Sequence, residues 1–149
     1  MNAEYVNPFI MGSQRVLATI CGERPGLGKV FLKKPPHAPL QVAVSISITG
    51  EVKAVAIYTM TPQVGCFLAS KMMGWPVDDL DPMAQSAICE LGNMISGNVA
   101  TAFSEKGILA DITPPEFHSD SNPALPVDMV CIPLVLQEGH IFEIDVCMT

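Results

Sequence analysis

Glu90 and Asn93 are the residues of this chain whose types and spacing point most directly to chemistry. On a helix, residues three apart stand with their Cβ atoms roughly 5–6 Å from each other, so an acid and an amide at this spacing can act on one target. Neither is a nucleophile. An amide can hold a water by accepting from it or donating to it, and a neighbouring carboxylate can pair with a lysine on an approaching protein. The pair suits a site that completes another protein's active centre rather than a self-contained catalytic set.

Other constellations carry less. Residues 22–29 have the glycines and lysine of a phosphate loop, but Leu27 stands at the second glycine position and Val30 replaces the following hydroxyl residue. The segment also follows a helix rather than a strand. His118-Ser119-Asp120 contains the residue types of a nucleophilic triad, yet triads are assembled in space and not from neighbours. That stretch reads as an exposed turn. Asp78, Asp79 and Asp81 could face a hard cation, but acids ahead of a helix more simply cap it and complement its dipole. His37, His118 and His140 lie in separate segments without zinc-ligand spacing. No metal site and no cofactor are expected in this chain.

The stretch that must position Glu90 and Asn93, residues 81–107, reads as one long helix. Asp81 suits the N-cap and Pro82 the first turn, where its missing N–H is no loss. Gly107, after Lys106, marks the stop. At about 100° per residue, Ala84, Ala87, Ile88, Leu91, Met94, Ile95, Val99 and Ala102 gather on a broad apolar face. Ser86, Glu90, Asn93, Gly97, Ala100 and Ser104 form a narrow opposite stripe. Gly92 and Gly97 each cost a helix about 1 kcal/mol against Ala. A face shaped only for stability would carry Lys, Glu, Gln and Ala. The stripe is therefore read as open to close approach, with Ser86, Gly97 and Ala100 flanking the acid–amide pair as partner-contacting positions. Asn98 falls within the apolar face, and its amide is expected to bond to an adjacent strand or loop.

The 149 residues, 49% of them hydrophobic, support a single domain spanning 1–149 with a substantial core. No apolar run approaches the length of about 18 residues that marks a bilayer span. The N-terminus lacks the pattern of a signal peptide, so the cytoplasm is the default location. A formal net charge of −7 with scattered Lys and Arg leaves no basic patch for nucleic acid. Five cysteines without Cys-x-x-Cys spacing read as reduced thiols.

Residues 3–22 read as a first helix, with Pro8 in its first turn or at a kink, and 22–28 as a loop. Strands are expected at 29–33, 41–49 and 52–60, the last two forming a hairpin about Gly50-Glu51. A second helix starts at Thr61-Pro62 and ends at Gly74. After the long helix, 108–115 should be extended or irregular and 116–125 turn-rich. A second hairpin covers 127–137 and 140–148, with Pro133 demanding an edge or a bulge. The order, helix, three strands, two helices and a final group of strands, predicts an α+β domain: an antiparallel sheet with helices packed on it.

Glu90-Leu-Gly-Asn93, with Ser86 before it and Gly97 after, resembles the Glu-x-x-Asn helix of the CheC/CheX/FliY family of chemotaxis phosphatases. Asp111-Ile-Thr-Pro-Pro115 is similar to the equivalent CheX segment, and Met72-Met-Gly74 and Ile48-Thr-Gly50 are similar in kind. The resemblance covers nearly the whole chain in element order. It implies a phosphatase of an aspartyl-phosphorylated, CheY-type response-regulator receiver. Asn93 would position the hydrolytic water, and Glu90 would dock on the receiver's active-site lysine. The Mg²⁺ ion would belong to the receiver. CheC-like relatives carry two such helices and this chain one, so it is CheX-like, which implies a homodimer. A non-catalytic adaptor that binds receivers or motility-switch proteins through the same helix is the alternative.

Overall fold

The computed structural model describes residues 3–121 and 126–149. In chain order its elements are α1 (Ala3–Cys21), β1 (Gly26–Leu27), β2 (Phe31–Lys33), β3 (Leu40–Gly50) and β4 (Ala54–Met60), then α2 (Pro62–Met73) and α3 (Pro82–Glu105). Four strands follow: β5 (Ala110–Ile112), β6 (Glu116–Ser121), β7 (Met129–Val135) and β8 (Ile141–Met148). The architecture is the expected α+β arrangement. None of the described helices is long and apolar enough to cross a membrane.

All strand pairings among the described residues are antiparallel. The sheet runs β1-β7-β8-β4-β3-β5, with β2 also on β7 and β6 also on β3. Alternation decides which side chains enter the core. Val42, Val44, Ile46 and Ile48 of β3 are all buried and join the helices in one cluster. Ala43 and Ile57, of opposite parity, enter a smaller cluster with Met129 and Cys147.

Four expectations about the strands and α1 change. Residues 22–28 are not all loop, because Gly26–Leu27 pairs with Leu134 and Val135 as β1. Residues 116–121 form a strand rather than turns: β6 pairs with the first half of β3, and the polar outer positions hide its strand character. Pro8 lies past the first turn of α1, and the helix continues through it. Pro133 sits inside β7 opposite Glu143, at the gap between β1 and β2, where a missing N–H breaks no ladder on that side. Its carbonyl still accepts from the Gly28 N–H at 2.8 Å.

Caps set the ends of the two later helices. Thr61 Oγ1 accepts from Val64 N–H at 3.2 Å, and Gly74 closes α2 at φ 79°. Asp81 Oδ1 accepts from Ala84 N–H at 2.9 Å, which supports α3 by about 1 kcal/mol. Gly107, at φ 77°, ends it as expected.

The buried face of α3 is rotated from the one read in the sequence. Its buried residues are Ala84, Ile88, Leu91, Gly92, Ile95, Ser96, Val99 and Phe103, whereas Ala87, Met94 and Ala102 are only half-buried. Gly92 is no tolerated defect. A Cβ there would lie 3.2 Å from both Tyr58 Cδ2 and Val44 Cγ1, so its absence lets α3 settle directly on β3 and β4. One turn later Ser96 Oγ lies 2.7 Å from the Tyr58 hydroxyl, a bond sealed within the core. Burial pushes the Tyr58 phenol well above its ordinary range, and the bond to Ser96 only partly opposes this. Among the described residues Asn98 bonds neither strand nor loop; its Nδ2 donates to the Met94 carbonyl of its own helix at 3.0 Å, while its Cβ faces Gly12 of α1.

The two helix glycines should therefore respond oppositely. Nothing lies within 4 Å of a Cβ added at Gly97, so Gly97→Ala should stabilise by roughly 0.5–1 kcal/mol. Gly92→Val should destabilise by about 1–3 kcal/mol, because Tyr58 cannot yield without breaking its bond to Ser96. Urea denaturation of the two variants checks the opposite signs.

Candidate functional site

With Leu91 and Ile95 pressed into the core, Glu90 and Asn93 must turn away from it. Glu90 is exposed and Asn93 half-buried. Among the described residues, neither side chain takes a hydrogen-bond or ion-pair partner. An amide half-shielded yet unbonded keeps its donor and acceptor for something brought to it.

The pair opens onto a groove of about 480 Å³. Gln85, Ser86, Cys89, Glu90 and Asn93 of α3 form one side, and Pro115 and Phe117 the other. Ser86, exposed, borders the groove; Gly97 and Ala100 continue the same helix and are not among its lining residues. The β5–β6 connector is the part of the groove that helix periodicity could not supply. It reaches α3 because β5 and β6 both lie on β3, beneath the helix.

The remaining candidates stay apart. His118 lies on β6 with Nε2 2.8 Å from Ser45 Oγ, and strand alternation turns Ser119 to the opposite face, so no triad forms. Asp81 is occupied as the α3 cap, while Asp78 and Asp79 border a different cavity beside α2, with Cys66 and His140.

One buried polar cluster has no counterpart in the sequence reading. Lys33 Nζ on β2 reaches Glu143 Oε2 at 2.5 Å and Asp145 Oδ2 at 2.9 Å, both on β8. Asp145 is fully buried, and Cys131 adjoins the two carboxylates. Ligand atoms of Cys131, Glu143 and Asp145 lie within 4.8 Å of one another, but the Lys33 ammonium already bonds both carboxylates and supplies the positive charge. Burial, reinforced by the bond to Glu143 and its charge, pushes Asp145 up to about 7. Glu143 is lowered: burial acts against this, but bonds from Asp145 and Lys33 prevail. The signal in the sequence is the i, i+2 spacing of the two acids. Only the pairing of β2, β7 and β8 brings Lys33 and Cys131 to them.

Comparison with known proteins covers the same ground. A family model described as "Chemotaxis phosphatase CheX" matches residues 42–135. A Thermotoga maritima protein named CheY-P phosphatase CheX is 34% identical over 116 residues, covering 77% of this chain and 75% of its own. A crystal structure of a chemotaxis protein CheX from Desulfovibrio desulfuricans superposes with a TM-score of 0.86 at 25% identity, over 98% of this chain and 99% of that one. The CheX–CheY–BeF₃–Mg²⁺ complex from Borrelia burgdorferi contains a chain similar to this one at a TM-score of 0.83 and 29% identity, covering 97% of each.

The buried cluster makes stability depend on pH. Asp145 keeps its proton in the fold up to about pH 7 and loses it near 4 when unfolded. The native state thus holds the extra proton between these values, and this group's contribution to stability falls as pH rises through them. Asp145→Asn, neutral throughout, should match the wild type near pH 3, below both values, and exceed it in thermal midpoint by about 2–4 °C at pH 8. Calorimetry at the two pH values tests this.

Proposed function

Because this chain belongs to the CheX family of chemotaxis phosphatases, we propose that it hydrolyses the aspartyl phosphate of a CheY-type receiver. The observation that carries the reading is the unpartnered Glu90–Asn93 pair, facing outward over an open groove. A receiver binds with its own phosphorylated aspartate, a lysine and Mg²⁺. That ion is assigned to the receiver because Glu90 is the one carboxylate lining the groove, too few oxygen ligands for Mg²⁺. When bound, the ion offsets charge on the phosphoryl oxygens.

In this reading Glu90 pairs with the receiver's lysine and sets the docking register. The Asn93 amide enters the receiver's pocket and holds a water in line with the bond to be broken. The water oxygen attacks phosphorus as the bond to the aspartyl oxygen breaks, leaving a free carboxylate and inorganic phosphate. Positioning suffices because phosphoryl transfer depends mainly on geometry and on charges already present. A hundredfold acceleration needs only about 2.7 kcal/mol.

We also propose that the protein is a homodimer, as the notion of a CheX-like chain implies. Leu27, Phe31, Leu32 and Val135 leave an exposed apolar rim where β1 and β2 border β7. An edge of this kind is open to pairing with a second copy.

Phosphate release from a phosphorylated receiver tests the mechanism. Asn93→Ala should bind within about threefold of wild type yet lose roughly a hundredfold in rate. Glu90→Lys should raise KM at least tenfold or so, since like charges would meet at the docking lysine. Equal turnover by wild type and Asn93→Ala would sink the mechanism; binding without acceleration by the wild type would favour the adaptor. Light scattering should give twice the monomer mass, and Leu32→Glu should halve it if the rim is the contact.

A further inference from the structure

The segment Asp111-Ile-Thr-Pro-Pro115 takes no part in the chemistry assigned to Asn93 and Glu90, yet its end stands across the groove from them. It is held firmly. The Thr113 N–H donates to the Ser47 carbonyl at 3.0 Å, and Thr113 Oγ1 accepts from the Ser47 N–H at 3.0 Å. This reciprocal pair extends the β3–β5 ladder past Ile112, where Pro114 and Pro115 bring no donors of their own. The chain rejoins β3 at Glu116, opposite Ser45. Two successive prolines, each with a locked φ, therefore span a short connector clamped at both ends.

A helix face alone is a poor aiming device, because a partner can rock about the helix axis. A site that works by positioning must hold its groups within about 0.5 Å and 10–20°. Contact on a second, independently anchored element removes that rotation. Pro115 and Phe117 are suited to this, since they come from the sheet and not from α3.

We propose that Pro115 and Phe117 form a rigid docking wall that, with α3, seats the receiver surface bordering its phosphorylated aspartate and so aims Asn93. This inference rests on the receiver-phosphatase reading. The lining specifies the contact. Pro82, Cys89, Pro115 and Phe117 present apolar surface, Ser86 a short hydroxyl, and Glu90 the groove's single charge. An uncharged loop edge of the receiver fits against the wall, and the receiver's charged groups meet the Glu90–Asn93 end. Pro115 and Phe117 are positioning residues; neither touches the reacting atoms.

The test measures affinity for a CheY-type receiver carrying Mg²⁺ and beryllofluoride, and turnover of the same receiver phosphorylated. Pro115→Asp should weaken binding and raise KM about tenfold with kcat nearly unchanged. Thr113→Val, which removes one of the two bonds to Ser47 and loosens the wall but leaves its surface, should keep affinity within about threefold and lower kcat roughly tenfold. Circular dichroism verifies folding, and the milder Pro115→Ser should show the same KM effect, smaller, if Pro115→Asp does not fold. Folded variants that match an active wild type in both KM and kcat would overturn the wall and leave the phosphatase reading intact. A wild type that binds the receiver without accelerating hydrolysis would overturn the phosphatase reading; weakened binding by Pro115→Asp would then still support the docking wall. A wild type that does not bind the receiver would overturn both.

Discussion

The contact between Gly92 and the sheet governs the rest of this molecule. A helix resting on a sheet is separated from it by its side chains, and at Gly92 there is none. The backbone of α3 descends onto Tyr58 and Val44, and the Tyr58–Ser96 bond then fixes the rotation of the helix about its axis. A hydroxyl at Ser96 would be a liability in that core without Tyr58, so the bond selects one seating over its neighbours. Glu90 and Asn93 face outward because Gly92 and Ser96 face inward.

The charges are divided between two sides of the domain with different consequences. Beneath β2 and β8, Lys33 is consumed by two carboxylates in a buried cluster whose geometry serves the fold. On α3, Glu90 is exposed and unpaired among the described residues, in a groove without a cation of its own. Solvation, rather than a protein partner, stabilises it in the isolated chain. That is a low-cost state for a carboxylate that, in the proposed docking, exchanges water for an ammonium group, whereas pulling Glu143 away from Lys33 would leave a partly buried charge unmatched.

A site of this kind can be shallow. An enzyme that holds a small substrate needs walls on every side to exclude water and orient it. A half-site that enters another protein's pocket needs a projecting amide, a charge for register, and stable neighbours. In the proposed function the groove's two sides meet these needs through different elements: α3 would supply the functional groups, and β3, through β5 and the connector to β6, holds the opposing surface.

Much of this was legible in the residues. The caps at Thr61 and Asp81, the stops at Gly74 and Gly107, the alternation along β3 and the i, i+3 relation of Glu90 and Asn93 are local, so periodicity and capping chemistry determine them without reference to the fold. The strand at 116–121 was not, because an edge strand with polar outer positions earns its hydrogen bonds from β3 and not from its own pattern. The meaning of Gly92 was also hidden: the same missing Cβ that weakens a lone helix strengthens one that must touch a sheet. Lys33, Cys131, Glu143 and Asp145 are separated by up to 112 residues and share only a register. Sequence alone determined which side chains could do chemistry. Tertiary packing decided which way they point and what stands opposite, because helix rotation and strand neighbours are set by contacts between segments that sequence distance does not encode.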